Sequence, residues 1–326
     1  MTATDDTRRP MKLAALKAPF TFELLDEPVP AVAPDEVLVR VEVCGVCTSE
    51  LDAWQGRGDT PLPYFPGHEV SGVVEELGTE VTSVSVGDPV AVWVTERGFA
   101  EYVAVKAEHC FPAGGVPLDL ALAEPLACAV NAVELADVCL GDDVVLIGAG
   151  FMGHLVQQLV MLRGVRHVIV ADTRPDVLER ALRLGATHVV DVGVESLPAV
   201  VADITDGAGA DVSFEITGAQ GPLGVLGDVT RMSGKIALVG FHQGENRQLP
   251  LGQWNWKAFT LVNAHFREVP TILRGMSVGM RLLRSRRLSL DGLVTHRVEL
   301  ADIGDAFGLA QDKPAGFVKA VVTCSR

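Results

Sequence analysis

Apolar and polar positions alternate through residues 36–43, with Val37, Val39, Val41 and Val43 on one side and Leu38, Arg40 and Glu42 on the other. Residues 70–77 form a second β-branched run, and Gly67, Gly72, Gly78, Gly87 and Pro89 interrupt these segments at short intervals. That punctuation predicts the turns of a small barrel-like β fold in the first third of the chain. The pattern changes near Ala121. From there to Phe266 short apolar runs at 144–147, 168–171, 188–190, 212–216, 236–239 and 259–262 alternate with helical patterns. Such alternation is the signature of βαβ units and a parallel sheet, and six strands complete a doubly wound dinucleotide fold. Leu155, Val156, Leu159, Val160 and Leu162 make one helical stripe that Gly164 stops. Thr173 is placed to cap the next helix, Pro175 to sit in its first turn and Gly185 to end it. After Phe266 come one more helical pattern and strand-like runs at 292–299 and 316–322. The predicted fold class is α/β. A β-rich domain over 1–122 is completed by 267–326, and a parallel-sheet domain over 123–266 lies between them in sequence.

Composition narrows the function. A length of 326 residues suits two domains, and 48% hydrophobic against 21% charged residues is the balance of a soluble protein with ample core. The net charge of −15 repels phosphate backbones and anionic lipid, which argues against nucleic-acid and membrane-surface partners. No apolar run is long enough for a membrane span. Residues 1–10 are polar and are expected to fray. Six cysteines are too sparse for a disulfide scaffold, so a reduced, cytoplasmic setting is expected.

Two patterns carry chemistry. Gly148-Ala-Gly150-Phe151-Met152-Gly153 follows a predicted strand and opens a predicted helix, and Asp172 ends the next strand. In such a loop Gly148 makes the tight turn, Gly150 admits the pyrophosphate and Gly153 lets helix and strand pack closely. The helix N-terminus offers free N–H groups to the phosphates. Asp172 would accept the adenosine ribose hydroxyls and repel the extra phosphate of NADP, so NAD(H) is the expected cofactor. Arg174 leaves some NADP(H) use open. The second pattern is Cys44-Gly-Val-Cys47-Thr-Ser49-Glu50 together with Gly67-His68-Glu69. With no second C-x-x-C, a closed four-cysteine site is impossible. A thiolate, an imidazole and a carboxylate from separate loops suit zinc with an open position, and Glu124 offers a further carboxylate where the two predicted domains join.

Taken in order, these motifs resemble those of the zinc-dependent medium-chain alcohol dehydrogenase family, in its sorbitol and threonine dehydrogenase branch. The resemblance spans about Met11 to Val322. It implies a GroES-like catalytic domain, a Rossmann domain and hydride transfer between an alcohol carbon and NAD(P), with catalytic zinc in a cleft. It implies Cys47 and His68 as zinc ligands, with Glu69 as ligand or close partner, Glu124 in the remaining carboxylate position, and Cys44 as a strand residue. Ser49 matches the hydroxyl that passes the substrate proton towards solvent. Glu50 replaces the usual Asp behind the zinc, and Asp52 stands where relatives often carry the outer His of the proton relay. Arg267 matches a residue near the nicotinamide or substrate, and Lys319 a pyrophosphate-contacting Arg.

The chain departs from the family at residues 93–102, which run without a cysteine where relatives carry a four-cysteine structural-zinc lobe. One catalytic zinc and no structural zinc are therefore expected. Trp54, Trp93, the segment Phe241-His242-Gln243-Gly244, Trp254, Trp256, Asn263 and His265 are candidate pocket residues, and their polarity favours a small polar alcohol or carbonyl substrate. The last strand of the parallel sheet presents an edge that predicts a homodimer or homotetramer. Two other readings compete. One is a zinc-free reductase of activated alkenes or quinones, which has no use for Cys47, His68 and Glu69. The other is a non-catalytic NAD-binding sensor or structural subunit.

Overall fold

The computed structural model describes residues 8–242, 244 and 246–325. The chain divides into two compact units: residues up to Pro125 together with those from Met276 on, and Leu126–Gly275.

The first unit begins with a hairpin of β1 (Pro10–Ala18) and β2 (Thr21–Pro28). Its main sheet takes β3 (Glu36–Gly45), β4 (Glu69–Leu77), β5 (Pro89–Trp93), β6 (Tyr102–Lys106) and β7 (Cys110–Pro112), all paired antiparallel. The valine alternation explains β3: Val37, Val39 and Val41 lose all solvent exposure in the core, while Arg40 and Glu42 stay partly exposed. After β3 the chain turns through Thr48–Glu50 into α1 (Leu51–Trp54). Trp54 packs edge-on to Phe20, with ring centroids 4.8 Å apart, and lies against Phe307. Its predicted place in a substrate pocket is thereby corrected; its indole is spent on the core.

The second unit is entered through α2 (Ala123–Leu135) and alternates strand and helix: β8 (Asp143–Ile147), α3 (Phe151–Met161), β9 (His167–Asp172), α4 (Pro175–Arg183), β10 (His188–Asp191), α5 (Leu197–Ile204), β11 (Ala210–Glu215), α6 (Gln220–Val229), β12 (Thr230–Leu238), α7 (Leu251–Trp256) and β13 (Thr260–Asn263). The six strands are parallel in the order β10-β9-β8-β11-β12-β13, so the order reverses between β8 and β11. All six predicted apolar runs lie in strands; β12 begins six residues before its run, and the other bounds shift by at most two. The core of this unit is built from β-strand residues such as Val145, Ile169 and Ile236 and helical residues such as Leu223 and Leu226.

The chain then runs through α8 (Val269–Arg284), β14 (Val294–Glu299), α9 (Ile303–Asp312) and β15 (Lys319–Thr323). β15 inserts between β14 and β3, completing the first unit's seven-stranded sheet with the last residues of the chain.

Two local expectations are corrected. The residue at the N-cap of α4 is Arg174, and Thr173 does not cap. Asp172 Oδ1 instead accepts the N–H groups of Thr173 (2.8 Å) and Arg174 (3.0 Å), and Pro175 at the start of the helix has no N–H to satisfy. Order also begins before residue 11: Pro10 pairs with Pro28, and Arg9 stacks on Tyr102 and pairs with Glu75 at 2.8 Å. The rest of the predicted fraying segment, residues 1–7, lies outside the described residues, as does Gln243.

Candidate metal centre and dinucleotide site

The end of β3, the turn after it and the start of β4 bring three donors together in the first unit. Cys47 Sγ, a His68 ring nitrogen and a Glu69 carboxylate oxygen lie within 4.8 Å of one another. Each is held from behind. His68 Nδ1 donates to Glu50 Oε1 at 3.1 Å, which leaves Nε2 as the nitrogen that can turn a lone pair to a metal once its proton is lost. The same Glu50 oxygen accepts the Gly67 N–H at 2.6 Å, so one buried carboxylate fixes both the loop and the imidazole. Burial alone would lower the His68 pKa, but the Glu50 carboxylate and Cys47 hold it well above the ordinary histidine value. A cation seated among these donors displaces that proton.

Glu69 is 2% exposed and faces Lys319, itself 7% exposed. Lys319 Nζ donates to Glu69 Oε1 at 2.7 Å and to the Val46 carbonyl at 2.8 Å. Burial pulls the Lys319 pKa down, yet Glu69 and, at longer range, Cys47 and Glu124 leave it raised overall. Glu69 Oε2 is buried too and lies 2.7 Å from the same ammonium. Gly45 makes room for it, since a Cβ there would lie 2.1 Å from that oxygen. A soft cysteine sulfur, an imidazole with its outer nitrogen on a carboxylate and a buried carboxylate fit zinc.

The remaining sequence candidates fall around this cluster. Ser49 Oγ donates to Cys47 Sγ at 3.1 Å. Glu124 begins α2 and is not among the three clustered donors. Cys44 is buried on β3, where loss of solvent pushes its thiol pKa well up and keeps it protonated. Asp52 is held by Arg57 Nε at 2.9 Å. Tyr64 was missed by sequence reading: burial, then Glu50, raise its phenol pKa to about 12, so it stays a neutral hydroxyl beside the cluster. After β5 the chain makes a short turn. Arg97 N donates to Phe65 O at 2.9 Å and Gly98 N to Gly67 O at 3.0 Å, so the turn braces the loop before His68. Gly67 takes φ +109°, and a Cβ there would lie 2.6 Å from Phe99 N; only glycine permits this approach.

In the second unit the loop 148–153 joins β8 to α3. Gly148 has φ +111°, and a Cβ on Gly153 would lie 2.0 Å from the Gly148 carbonyl oxygen. Gly150 is the N-cap of α3 and has open space where a Cβ would be, as a site for a phosphate needs. Phe151 is buried and Met152 half-buried in the first turn. Asp172 Oδ2 accepts the Ala149 N–H at 2.8 Å, tying this carboxylate to the glycine loop. Arg174 Nε lies 3.8 Å from Asp172. Arg267 is exposed and donates to the Phe266 carbonyl at 2.7 Å. Trp254 is buried, whereas Trp256 is 80% exposed.

Comparison with known proteins places both units in one family. Residues 33–116 match the alcohol dehydrogenase GroES-like domain, and residues 152–276 match the zinc-binding dehydrogenase family. An L-threonine 3-dehydrogenase of Ruegeria pomeroyi is 28% identical over 90% of this chain and 94% of its own length. A sorbitol dehydrogenase of Halalkalibacterium halodurans is 28% identical over 88% and 91%. The crystal structure of 2R,3R-butanediol dehydrogenase from Bacillus subtilis superposes with a TM-score of 0.81 at 25% identity, over 96% of this chain and 99% of that one.

Proposed function

Because the chain belongs to the zinc-type medium-chain alcohol dehydrogenase family, we propose that it interconverts a small polar alcohol and its aldehyde or ketone with NAD(H) as hydride carrier. The observation that carries this reading is the Cys47–His68–Glu69 cluster, with His68 Nδ1 tied to Glu50 so that Nε2 is left for a metal. Cys47, His68 and a carboxylate, Glu69 or Glu124, would hold one zinc per chain. Zinc when bound supplies a Lewis acid for the substrate oxygen, and the nicotinamide supplies the hydride acceptor.

The chain's own residues do the rest. Ser49, half-buried beside Cys47, takes the hydroxyl proton of the substrate and hands it to solvent. The relay ends there, because Asp52 is paired with Arg57. Lys319 gives Glu69 a buried counter-charge from the protein side. Gly148, Gly150 and Gly153 admit the pyrophosphate to the end of α3, and Asp172 accepts the adenosine ribose hydroxyls. The same carboxylate repels a ribose phosphate, favouring NAD over NADP, with Arg174 offsetting part of the preference. A homodimer or homotetramer in the cytoplasm, joined through the exposed edge of β13, completes the reading.

Metal analysis of the purified protein should give one zinc per chain. Cys47→Ala should lose the metal and turnover while still binding NADH. Two tightly held zincs, or full turnover in metal-free protein, would defeat the proposal, and the latter would favour a zinc-free reductase. A panel of polyols, amino alcohols and the matching carbonyls, read by NADH absorbance, assigns the substrate class.

A further inference from the structure

A buried carboxylate that the proposed reaction does not use ends the fourth strand of the second unit. Glu215, the last residue of β11, has a side chain with no exposed surface, yet both its oxygens are engaged. Oε1 accepts the N–H groups of Thr217 (2.7 Å) and Gly218 (3.0 Å) and the Thr217 hydroxyl. Oε2 accepts Nε2–H of His242 at 2.8 Å. His242 Nδ1 in turn accepts from Arg247 Nε at 3.3 Å, and Arg247 Nη2 returns to the Gly218 carbonyl at 3.3 Å. The network therefore closes a ring around the turn 216–218. Gly240 lets β12 end against it, since a Cβ there would lie 2.4 Å from Glu215 Oε2 and 2.2 Å from Gly218 N. On the other side the turn abuts the dinucleotide loop: a Cβ on Gly148 would lie 2.9 Å from Thr217 Cγ2.

A doubly wound sheet consists of two mononucleotide-binding halves that meet where the strand order reverses, and ligands bind at the carboxyl ends of its strands. Here the reversal lies between β8 and β11. Asp172, at the end of β9, belongs to the adenosine half. Glu215, at the end of β11, and His242, just past β12, belong to the half left for the nicotinamide nucleotide. We propose that Glu215 is a positioning residue for the nicotinamide half of the cofactor, acting through His242. The carboxylate keeps the imidazole proton on Nε2 and turns the Nδ1 lone pair to Arg247. This polarity holds the turn 216–218 and the end of β12 as one wall against which the nicotinamide nucleotide lies. His265 braces the same wall, its Nε2 donating to the Gly240 carbonyl at 3.2 Å.

The inference rests on the reading that the chain binds a nicotinamide dinucleotide. Glu215→Gln tests it with little change in volume. The Gln oxygen must still serve the Thr217 and Gly218 donors, so its NH₂ faces His242 and the imidazole must carry its proton on Nδ1. That N–H then opposes Arg247 Nε–H. NADH dissociation constants come from fluorescence titration and those of AMP, a probe of the adenosine half alone, from calorimetry. We expect Glu215→Gln and His242→Ala each to weaken NADH about tenfold, or 1.4 kcal/mol. AMP binding should stay within about twofold of native, and the double variant should be no weaker than the worse single one. Native NADH affinity in both single variants overturns the inference. So does an equal loss of NADH and AMP with a lowered melting temperature, which marks a merely structural network. Native protein that binds AMP but not NADH would overturn the cofactor reading itself.

Discussion

The two units hold a carboxylate at their candidate sites in opposite ways. In the first, buried Glu69 faces an ammonium from Lys319, 250 residues away in sequence. In the second, Asp172 is 14% exposed and accepts N–H groups from Ala149, Thr173 and Arg174, all in its own loop or the adjacent one. Backbone donors come with the turn and cannot be mutated away, whereas a side-chain partner can. The candidate metal centre is therefore built of mutually dependent charges, and the candidate dinucleotide site of self-sufficient ones.

The sharpest way to break this comparison is Lys319→Met. It strands the Glu69 carboxylate in a buried position, and truncating one partner of a buried pair costs about 3–5 kcal/mol. Denaturant unfolding of the metal-free protein should show a loss of that size, and adding Glu69→Gln should recover much of it. An unchanged midpoint would mean that the pair contributes little. A somewhat smaller effect belongs to the second unit's own buried histidine. His154 follows Gly153 on α3, and burial, with Arg180 nearby, pushes its pKa down to about 4 from 6.5. The folded state therefore keeps it neutral while the unfolded chain protonates. Stability from this residue is complete above about pH 6.5 and falls by about 3 kcal/mol as the pH drops towards 4. Unfolding midpoints across that window should decline less in His154→Leu than in the native protein; parallel curves would remove the histidine from the account. The smallest effect is expected at Asp172. Asp172→Ala leaves only backbone N–H groups behind, so the fold should tolerate it, while the NAD-to-NADP ratio of kcat/KM should fall about tenfold, a change of 1.4 kcal/mol. An unaltered ratio would show that another group selects the cofactor.

The same contrast explains what could be read from the sequence. The parallel sheet was legible because each buried strand is a short contiguous apolar run and each turn carries its own glycine, as at Gly148 and Gly185. The glycine loop and Asp172 were legible for the same reason: their partners are local. Cys47, His68 and Glu69 could be nominated, but only a resemblance to a family joined them. Lys319 was assigned to a pyrophosphate, whereas the fold turns its ammonium to Glu69, because a single cation in a strand does not reveal which carboxylate another strand will bring. Glu215 went unnoticed, since an acidic residue closing an apolar run has no periodicity, and its histidine lies 27 positions on. Trp54 misled for a related reason. Its nearness in sequence to the cysteine turn suggested a pocket, but Phe20 and Phe307 close around it.

The place of β15 gives the protein an order of birth. On a ribosome the second unit, Leu126–Gly275, is one uninterrupted stretch and can close its sheet while synthesis continues. The first unit cannot. One long side of β3 near Gly45 stays an open edge until residues 319–323 are made and slide between it and β14. Lys319 arrives on that same strand, so Glu69 has no buried counter-charge until residues 319–323 emerge. A chain that stops short of β15 would lack both the strand that covers this edge of β3 and the ammonium that faces Glu69, while Leu126–Gly275 would be whole.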